Sequence, residues 1–442
     1  MRLAVLSLIL VFAMQLTRAG AVRDTTAHEQ SFNFHFQTTF IYQYHPGFRA
    51  LYSGQNSLSD NAENALSASS TFYIGKSLWN GASVYFNPEI NGGNGFSQTR
   101  GIAGFPNGEI FRVDNPSPKI YIARLYFQQI IPLSGEMKQT DDDVNRLGGP
   151  RPESYISFYA GKFSIIDFFD NNSYAHDPRT QFLNWALMGD AAWDYPANTR
   201  GYTFGAAAEL VKPSWSLRIA EVMVPTHANG SRMDEDISEA RSQAVEFEHA
   251  FGSAFRQGRI RLIGFYSLAG MGSYREALDW GIKHSVAPSV DSVGRAGSLK
   301  FGFGVNVEQQ LCNNAGFFFH ASWNDGKTET WAFTEVDRSV NAGFVFSGRA
   351  WGRKDDSFGV AAIVNGLSPS HRDYLRAGGY GFIIGDGNLN YSTEKISEFY
   401  YTVKLFSFPV LVSPDYQFVI DPAYNRDRGP VHVFSIRAHL EI

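Results

Sequence analysis

A chain of 442 residues with a mild formal net charge of −5 does not favour nucleic acid as a partner, because such binding requires clustered Lys and Arg. The one cysteine, Cys312, excludes an intramolecular disulfide, so the fold cannot depend on such a bond. Aromatic residues make up 15% of the chain and 42 residues are glycine. Both contents are high for a globular domain and favour strands, tight turns and crowded barrel interiors.

The first 21 residues have the features of a secretory signal peptide. The chain starts with the basic residue Arg2, continues with the mostly apolar run 4–14, and reaches the small residues 19–21, where cleavage is expected. The apolar run is too short for a membrane-spanning helix, although an uncleaved anchor is an alternative. We therefore expect residues 22–442 to form the exported protein, as a single domain.

Strict alternation of apolar and polar side chains recurs through the rest of the chain. In one stretch Leu299, Phe301 and Phe303 alternate with Lys300, Gly302 and Gly304, and the last ten residues, VFSIRAHLEI, follow the same rule. Such alternation predicts half-buried strands, because successive side chains of a strand point to opposite faces. It predicts about sixteen strands, with eighteen possible, at 32–43, 66–77, 82–90, 119–130, 155–163, 201–210, 215–223, 243–251, 259–268, 298–309, 315–323, 339–347, 357–364, 396–406, 411–420 and 430–442.

The connections between these segments favour an all-β, antiparallel transmembrane barrel of the outer-membrane type. Some segments are joined by tight turns, as at 79–81 and 312–314, and others by long polar stretches at 91–118, 164–200 and 365–395. Short periplasmic turns with long extracellular loops are typical of such barrels. A soluble sandwich is the rival, but it does not require the charged residues that recur on the polar face, and a propeller would show a repeat of about 40–50 residues.

The densest loop, 167–200, predicts the constriction of the pore. It mixes acidic, basic and aromatic side chains, which suggests that it packs inward and does not only cover the rim. The expected pore-lining residues are of two kinds. The polar ones are Asp167, Asp170, Asn172, His176 and Arg179 from the loop, with Arg124 and Glu246 from predicted wall strands. The aromatic ones, which would anchor the loop or stack on a sugar, are Trp185 and Trp193.

A second loop, WNDGKTETWAFTEVDRS, places Trp331, Glu335 and Arg338 close together in sequence. Aromatic faces beside carboxylate and guanidinium groups suit sugars, because rings stack on the apolar face of a pyranose and charged groups bond its hydroxyls. An interfacial aromatic girdle with ordinary loop charges is the alternative.

No motif for catalysis or for metal binding emerges. The spacing around His176 and Asp177 matches neither a zinc motif nor a calcium loop. There is no G-x-S-x-G, and the pair Asp167 and Asp170, which could hydrolyse glycosides, is equally explained as pore lining. We therefore expect no catalytic residue, no metal and no cofactor.

Several long phrases resemble the carbohydrate-selective porins, the OprB-like family. They are HDPRTQFLNWALM, AWDYPANTRGYTFGAA, WNDGKTETWAFTEVDRS, NGLSPSHRDYLRAGGYGFIIGDG and SPDYQFVIDPAYNRDRGPVHVFSIRAHLEI. The resemblance spans nearly the whole mature chain, from about Phe34 to Ile442. It implies a sixteen-stranded outer-membrane barrel that passes sugars by passive diffusion.

We therefore expect a channel for small saccharides in the outer membrane of a Gram-negative-type bacterium. A general or export porin is the near alternative, and an outer-membrane hydrolase is the distant one. Outer-membrane lipid is the expected surrounding, and the protein would be a monomer or a homo-oligomer such as a trimer. Two substitutions follow from the alternation in 299–307: Phe303→Arg should block assembly, and Gly304→Ser should be tolerated.

Overall fold

A computed structural model describes residues 30–110, 116–253, 256–405 and 408–442. The predicted signal peptide, 1–21, lies outside these ranges. Among the described residues, no helix combines the length and the apolar character that crossing a bilayer would require.

Sixteen antiparallel strands form one closed barrel, and two further strands form a separate hairpin. In chain order the strands are β1 (Phe32–His45), β2 (Glu63–Trp79), β3 (Ala82–Gly93), β4 (Lys119–Pro132), β5 (Met137–Thr140), β6 (Gly149–Pro152), β7 (Tyr155–Phe163), β8 (Thr203–Val211), β9 (Trp215–Met223), β10 (Arg241–Ser253), β11 (Arg256–Ala269), β12 (Ser298–Cys312), β13 (Ala315–Asn324), β14 (Arg338–Ser347), β15 (Ser357–Gly366), β16 (Glu394–Lys404), β17 (Val410–Ile420) and β18 (Val431–Glu441).

The barrel closes by pairing β1 with β18, from Gln37 opposite Glu441 to Tyr44 opposite Phe434. Each other wall strand pairs with its neighbours in sequence, except that β4 pairs with β7 because β5 and β6 lie outside the wall. Closure leaves no sheet edge whose backbone groups would face lipid without hydrogen-bond partners. The prediction of sixteen barrel strands is confirmed, and all sixteen predicted segments coincide with wall strands to within a few residues.

The alternation assigns the two faces of the wall as predicted. In β12, Phe301 and Phe303 are exposed on the outer face, whereas Lys300, Asn306 and Glu308 are buried on the inner face. The outer face is a belt of apolar side chains, which suits lipid. The inner face is polar, so it can face water or the loops that fold into the lumen.

The two ends of the barrel differ in the length of their connections. On the periplasmic side most connections are short, such as the turn at Gly81, whose φ of +74° is in the region that glycine adopts most readily. On the extracellular side the described parts of the long loops carry two helices, α1 (Tyr274–His284) and α2 (Pro369–Arg376), capped by Ser273 and Ser368 respectively. These helices cover the barrel, and loop 164–202 descends into it.

Candidate functional site

The lumen contains a cavity of about 670 Å³. Three parts of the chain surround it: the inner face of the wall around β2–β4, the long extracellular loops, and the connection between β4 and β7. Its volume is within the range of small-molecule sites. The outer face of the barrel is apolar, whereas this cavity lies inside the wall.

A wall arginine and a loop carboxylate form the first charged pair of the cavity. Arg124, on β4, donates from Nε to Asp167 Oδ2 at 2.7 Å and from Nη2 to Oδ1 at 2.5 Å. Asp167 is held in place because its Oδ2 also accepts the backbone N–H of Ser164 at 3.0 Å, in a capping box of the short 3-10 helix Ile165–Asp167. A bidentate pair of this kind fixes the direction of both groups as well as their separation.

A loop arginine forms the second charged cluster. Arg179 donates from Nε to Glu109 at 2.9 Å, from Nη2 to Glu89 at 3.4 Å, and from Nη1 to the hydroxyl of Tyr73 at 3.1 Å. Burial alone would lower the pKa of Arg179, but the neighbouring carboxylates and the phenol outweigh it, so that its pKa is raised well above the ordinary value. The guanidinium therefore stays charged within the lumen.

Glu89, on β3, is the most heavily bonded acid of the cavity. Its carboxylate accepts from the hydroxyl of Thr71 at 2.6 Å, from Tyr202 at 3.2 Å, and from Tyr121. The ring of Tyr121 in turn lies 4.4 Å from the guanidinium carbon of Arg200. Hydroxyl and guanidinium donors thus converge on one carboxylate that lines the cavity.

Aromatic rings line another part of the cavity. Trp185 stacks on Phe333, with ring centroids 5.8 Å apart and an interplanar angle of 27°. Tyr195 packs on the same phenylalanine at 4.3 Å. The indole N–H of Trp185 donates to the carbonyl of Asn107 at 2.7 Å, which fixes the ring. The cavity therefore offers aromatic surface as well as charged pairs.

Five of the twelve predicted pore residues lie together around the cavity. They are Arg124, Asp167, His176, Arg179 and Trp185. The residues that complete the Arg179 cluster, namely Glu89, Glu109 and Tyr73, were not among the predicted ones. Glu89 could have been predicted from the sequence. It comes two residues after Asn87 and four after Tyr85 in β3, and residues at this spacing share the inner face of the strand. Glu109 gave no such signal, because it lies in an irregular loop.

Three of the predicted pore residues, Asp170, Asn172 and Glu246, are not among the residues that line the cavity, and instead they attach the loop to the wall. The backbone N–H of Asp170 donates to Glu246 at 2.6 Å, and Asp170 Oδ1 accepts from the side-chain amide of Asn306 at 2.7 Å. Asn172 donates to the carbonyl oxygen of the same Asn306 side chain at 2.8 Å. Glu246 also pairs with Arg218 at 2.6 Å. All three predicted residues are buried, so they hold the loop and do not contact the lumen.

The remaining four predicted residues are also displaced from the cavity. Trp193 is buried against Phe265, and Trp331 is buried with its indole N–H on the carbonyl of Pro225. Glu335 is buried and accepts the backbone N–H groups of Ile383 and Ile384. Arg338 opens β14 on the exposed, outward face.

The carboxyl of Asp190 crowds one interior position of the wall, Gly304. A Cβ at Gly304 would lie 1.9 Å from Asp190 Oδ2, so the predicted substitution Gly304→Ser requires the Asp190 carboxyl to move. Within the described chain neither carboxyl oxygen of Asp190 has a hydrogen-bond partner. Burial, with the negative charges of Asp170 and Glu246, raises the pKa of Asp190 well above its ordinary value.

Gly304→Ala is expected to lower the unfolding temperature in detergent, because the added methyl overlaps the Asp190 carboxyl in a packed site. Gly264→Ala is the matched control, since Gly264 lies on the outer face of the neighbouring β11 and its Cβ would meet no atom within 4 Å. Adding Asp190→Ala to Gly304→Ala should restore part of the loss. Equal unfolding temperatures for the two single variants would contradict the packing described.

Comparison with known proteins gives a family for most of the chain. The family model described as "Carbohydrate-selective porin, OprB family" matches residues 56–441. No curated protein sequence matches the chain. The high-pH structure of Pseudomonas putida OprB is similar with a TM-score of 0.69 and 14% identity, over 93% of this chain and 94% of that chain. The channel DcaP of Acinetobacter baumannii gives a TM-score of 0.49 and 9% identity, over 93% and 97%.

Proposed function

The chain belongs to the OprB family of carbohydrate-selective porins and is an outer-membrane channel for the diffusion of small carbohydrates, and we propose that the sugar passes between its Arg124–Asp167 pair and its Arg179 cluster. The single observation that carries this proposal is the arrangement around Arg179, where Glu109, Glu89 and Tyr73 all bond one guanidinium inside the lumen. A sugar that crosses here meets donors and acceptors at fixed positions.

The charge of the cavity suits neutral solutes. In the part of the chain that the structure describes, six carboxylates and five guanidinium groups line it: Glu89, Glu109, Asp143, Asp167, Asp177 and Glu441, with Arg124, Arg146, Arg151, Arg179 and Arg200. Because the two signs nearly balance, the cavity does not favour one sign of ion as a single-sign ring would. This balance favours a sugar channel over a general porin selective for anions or cations.

The two kinds of lining surface match the two faces of a pyranose. Charged pairs whose members already bond each other can share their remaining lone pairs and N–H groups with hydroxyls, directly or through water. The stacked rings of Trp185 and Phe333 offer an apolar surface for the C–H face of the sugar. Binding of this kind is weak enough for a sugar to leave as well as to enter.

Arg179→Lys is expected to weaken the block of ion current by a monosaccharide in planar-bilayer recordings. Lysine keeps the charge but loses the planar fork that bonds two carboxylates and a phenol at once. If one charge-assisted hydrogen bond to the sugar is lost, the blocking constant should rise roughly tenfold.

The control for this experiment is Arg232→Lys. Arg232 lies in an extracellular loop, its side chain is exposed, and it lies outside the cavity. Block that is equally strong in both variants and in the wild type would refute the proposed path. A wild-type channel that conducts ions but shows no sugar block at any concentration would refute it more directly.

A further inference from the structure

One periplasmic connection is much longer than the others at the same end of the barrel. Residues 133–154 join β4 to β7, whereas the turns after β2, β8 and β12 have two or three residues. Within this segment β5 and β6 form a two-stranded hairpin, from Met137 opposite Pro152 to Thr140 opposite Gly149. Its tip, which we call the periplasmic tip, consists of residues 141–148.

The periplasmic tip folds into the lumen and binds inward-facing residues of β1. Asn33, buried on the inner face, donates to Asp142 Oδ1 at 2.8 Å and to the carbonyl oxygens of Asp143 and Arg146 at 3.1 and 3.0 Å. A second inward residue, His35, has its Nε2 3.2 Å from Asp142 Oδ1. These contacts attach the tip to the wall near the periplasmic end of β1.

The tip also extends into the lumen as far as the level of the Arg124–Asp167 pair. The side-chain amide of Asn87, which is fully buried on β3, donates to Asn145 Oδ1 at 2.9 Å. Asn87 is directly opposite Arg124 in the β3–β4 ladder. The backbone of Asn145 has a φ of +55°, a conformation that asparagine tolerates better than most residues. The tip therefore approaches the Arg124–Asp167 pair from below.

Four residues of the tip, Asp143–Arg146, line the same cavity as Arg124 and Arg179. Arg146 is fixed there, because its Nε donates to the carbonyl of Asp141 at 3.0 Å and its Nη2 to Asp143 Oδ2 at 2.7 Å. Its side chain is still 39% exposed, so the guanidinium keeps surface available to a solute. The lumen is thus narrowed from the periplasmic side as well as from the extracellular side.

We propose that the β5–β6 hairpin is a second selectivity element, which forms the periplasmic wall of the constriction and sets the largest saccharide that passes. The hairpin would limit the size of the solute and would offer it hydrogen-bond donors and acceptors. Between residues 137 and 152 the three aspartates 141–143 are balanced by Lys138, Arg146 and Arg151. The proposal rests on the sugar path proposed above, but it also makes a statement about ion flow that holds without any sugar.

The structure indicates where the hairpin can be removed. The backbone N–H of Glu153 donates to the carbonyl of Glu136 at 2.9 Å, and that of Leu133 to Ser154 at 2.8 Å. These bonds continue the ladder that pairs Pro132 with Tyr155. Excision of 137–152 with an Asn-Gly turn between Glu136 and Glu153 should therefore leave the wall strands paired, because this dipeptide forms a tight hairpin turn.

The excised channel should conduct about twofold more current in KCl than the wild type, because a constriction in its path has been removed. Its reversal potential in a salt gradient should change little, since the excised residues carry balanced charge. In liposome swelling it should admit a trisaccharide that the wild type excludes. Unchanged conductance together with an unchanged size limit would overturn the proposal. Failure of the wild type to pass sugar would instead refute the proposed function, and the conductance measurement would still test the hairpin.

A second variant gives a test of opposite sign if the excised chain does not fold. Val144→Trp adds bulk to a lining residue of the tip and should lower both conductance and the rate of sugar entry. Val286→Trp is its control, because Val286 is exposed on the extracellular side and outside this cavity. If both tryptophans leave conductance at the wild-type value, the tip does not border the solute path and the proposal is wrong.

Discussion

Phe303→Arg should prevent assembly of the barrel. Phe303 lies near the middle of β12 on the outer face, 54% exposed, and its ring centroid is 5.5 Å from that of Trp323 on the next strand. An arginine there would face the hydrocarbon core of the membrane, at a cost of about 2–4 kcal/mol, and would also lose the contact with Trp323. The folded fraction after refolding into lipid vesicles, read from heat-modifiable migration in a gel, measures the effect.

Phe303→Leu is the matched control, because it keeps an apolar side chain on the lipid face and should fold in normal yield. A charge in the same strand is compatible with folding when it faces inward: Lys300 is fully buried, 3.3 Å from Asp194. If the arginine variant refolds as well as the leucine variant, the assignment of the two faces is refuted.

Excision of 171–188 should raise conductance several-fold and remove sugar block. The excised lobe carries His176, Arg179 and Trp185 out of the lumen together, whereas Arg124 keeps its partner Asp167. The two ends of the excised segment lie close together, because the backbone N–H of Asp190 donates to Asp170 Oδ2 at 2.5 Å. Asp170 can therefore be joined to Gly189 with little displacement of the flanking chain. Single-channel recording with and without sugar gives both quantities.

Excision of 369–387 from the last long loop provides the comparison. This segment contains α2 and covers the extracellular end, but none of its residues lines the cavity. Its removal should change conductance less than removal of the lobe. A larger effect from this excision than from the other would place the constriction at the rim and not at Arg179.

The wall was predictable because a strand's side-chain period of two follows from covalent geometry. The faces of β12 could be assigned from Leu299, Phe303 and Glu308 alone. The same rule fails where the register shifts. In the β3–β4 ladder Asn87 pairs with Arg124 but Pro88 pairs with Ile122, because proline has no N–H to give to the ladder. The irregularity brings the hydroxyl of Tyr121 on β4 to Glu89, although strict alternation would not have grouped Tyr121 with Arg124.

The loop side chains were harder to assign, because composition does not separate an anchor from a lining residue. Asp167 and Asp170 are three residues apart with the same chemistry, and both bond wall residues, yet Asp167 lines the cavity and Asp170 does not. Which of them faces inward depends on the backbone, since Asp170 has a φ of +55° that turns the chain towards β12. Arg338 is different, because its alternation with Val340 on the outer face of β14 was visible in the sequence.

The seam between β1 and β18 has a consequence for the kinetics of folding. Thr39 and His439, 400 residues apart along the chain, share a hydrogen bond of 2.9 Å across it. Closing a loop of that length loses roughly 3 kcal/mol more in chain entropy than closing a ten-residue hairpin. Contacts between residues so far apart in sequence form slowly. We therefore expect the other strand pairs to form first, which leaves β1 and β18 as two unpaired edges of an open sheet. Any factor that keeps β1 extended and close to β18 would then accelerate closure of the barrel.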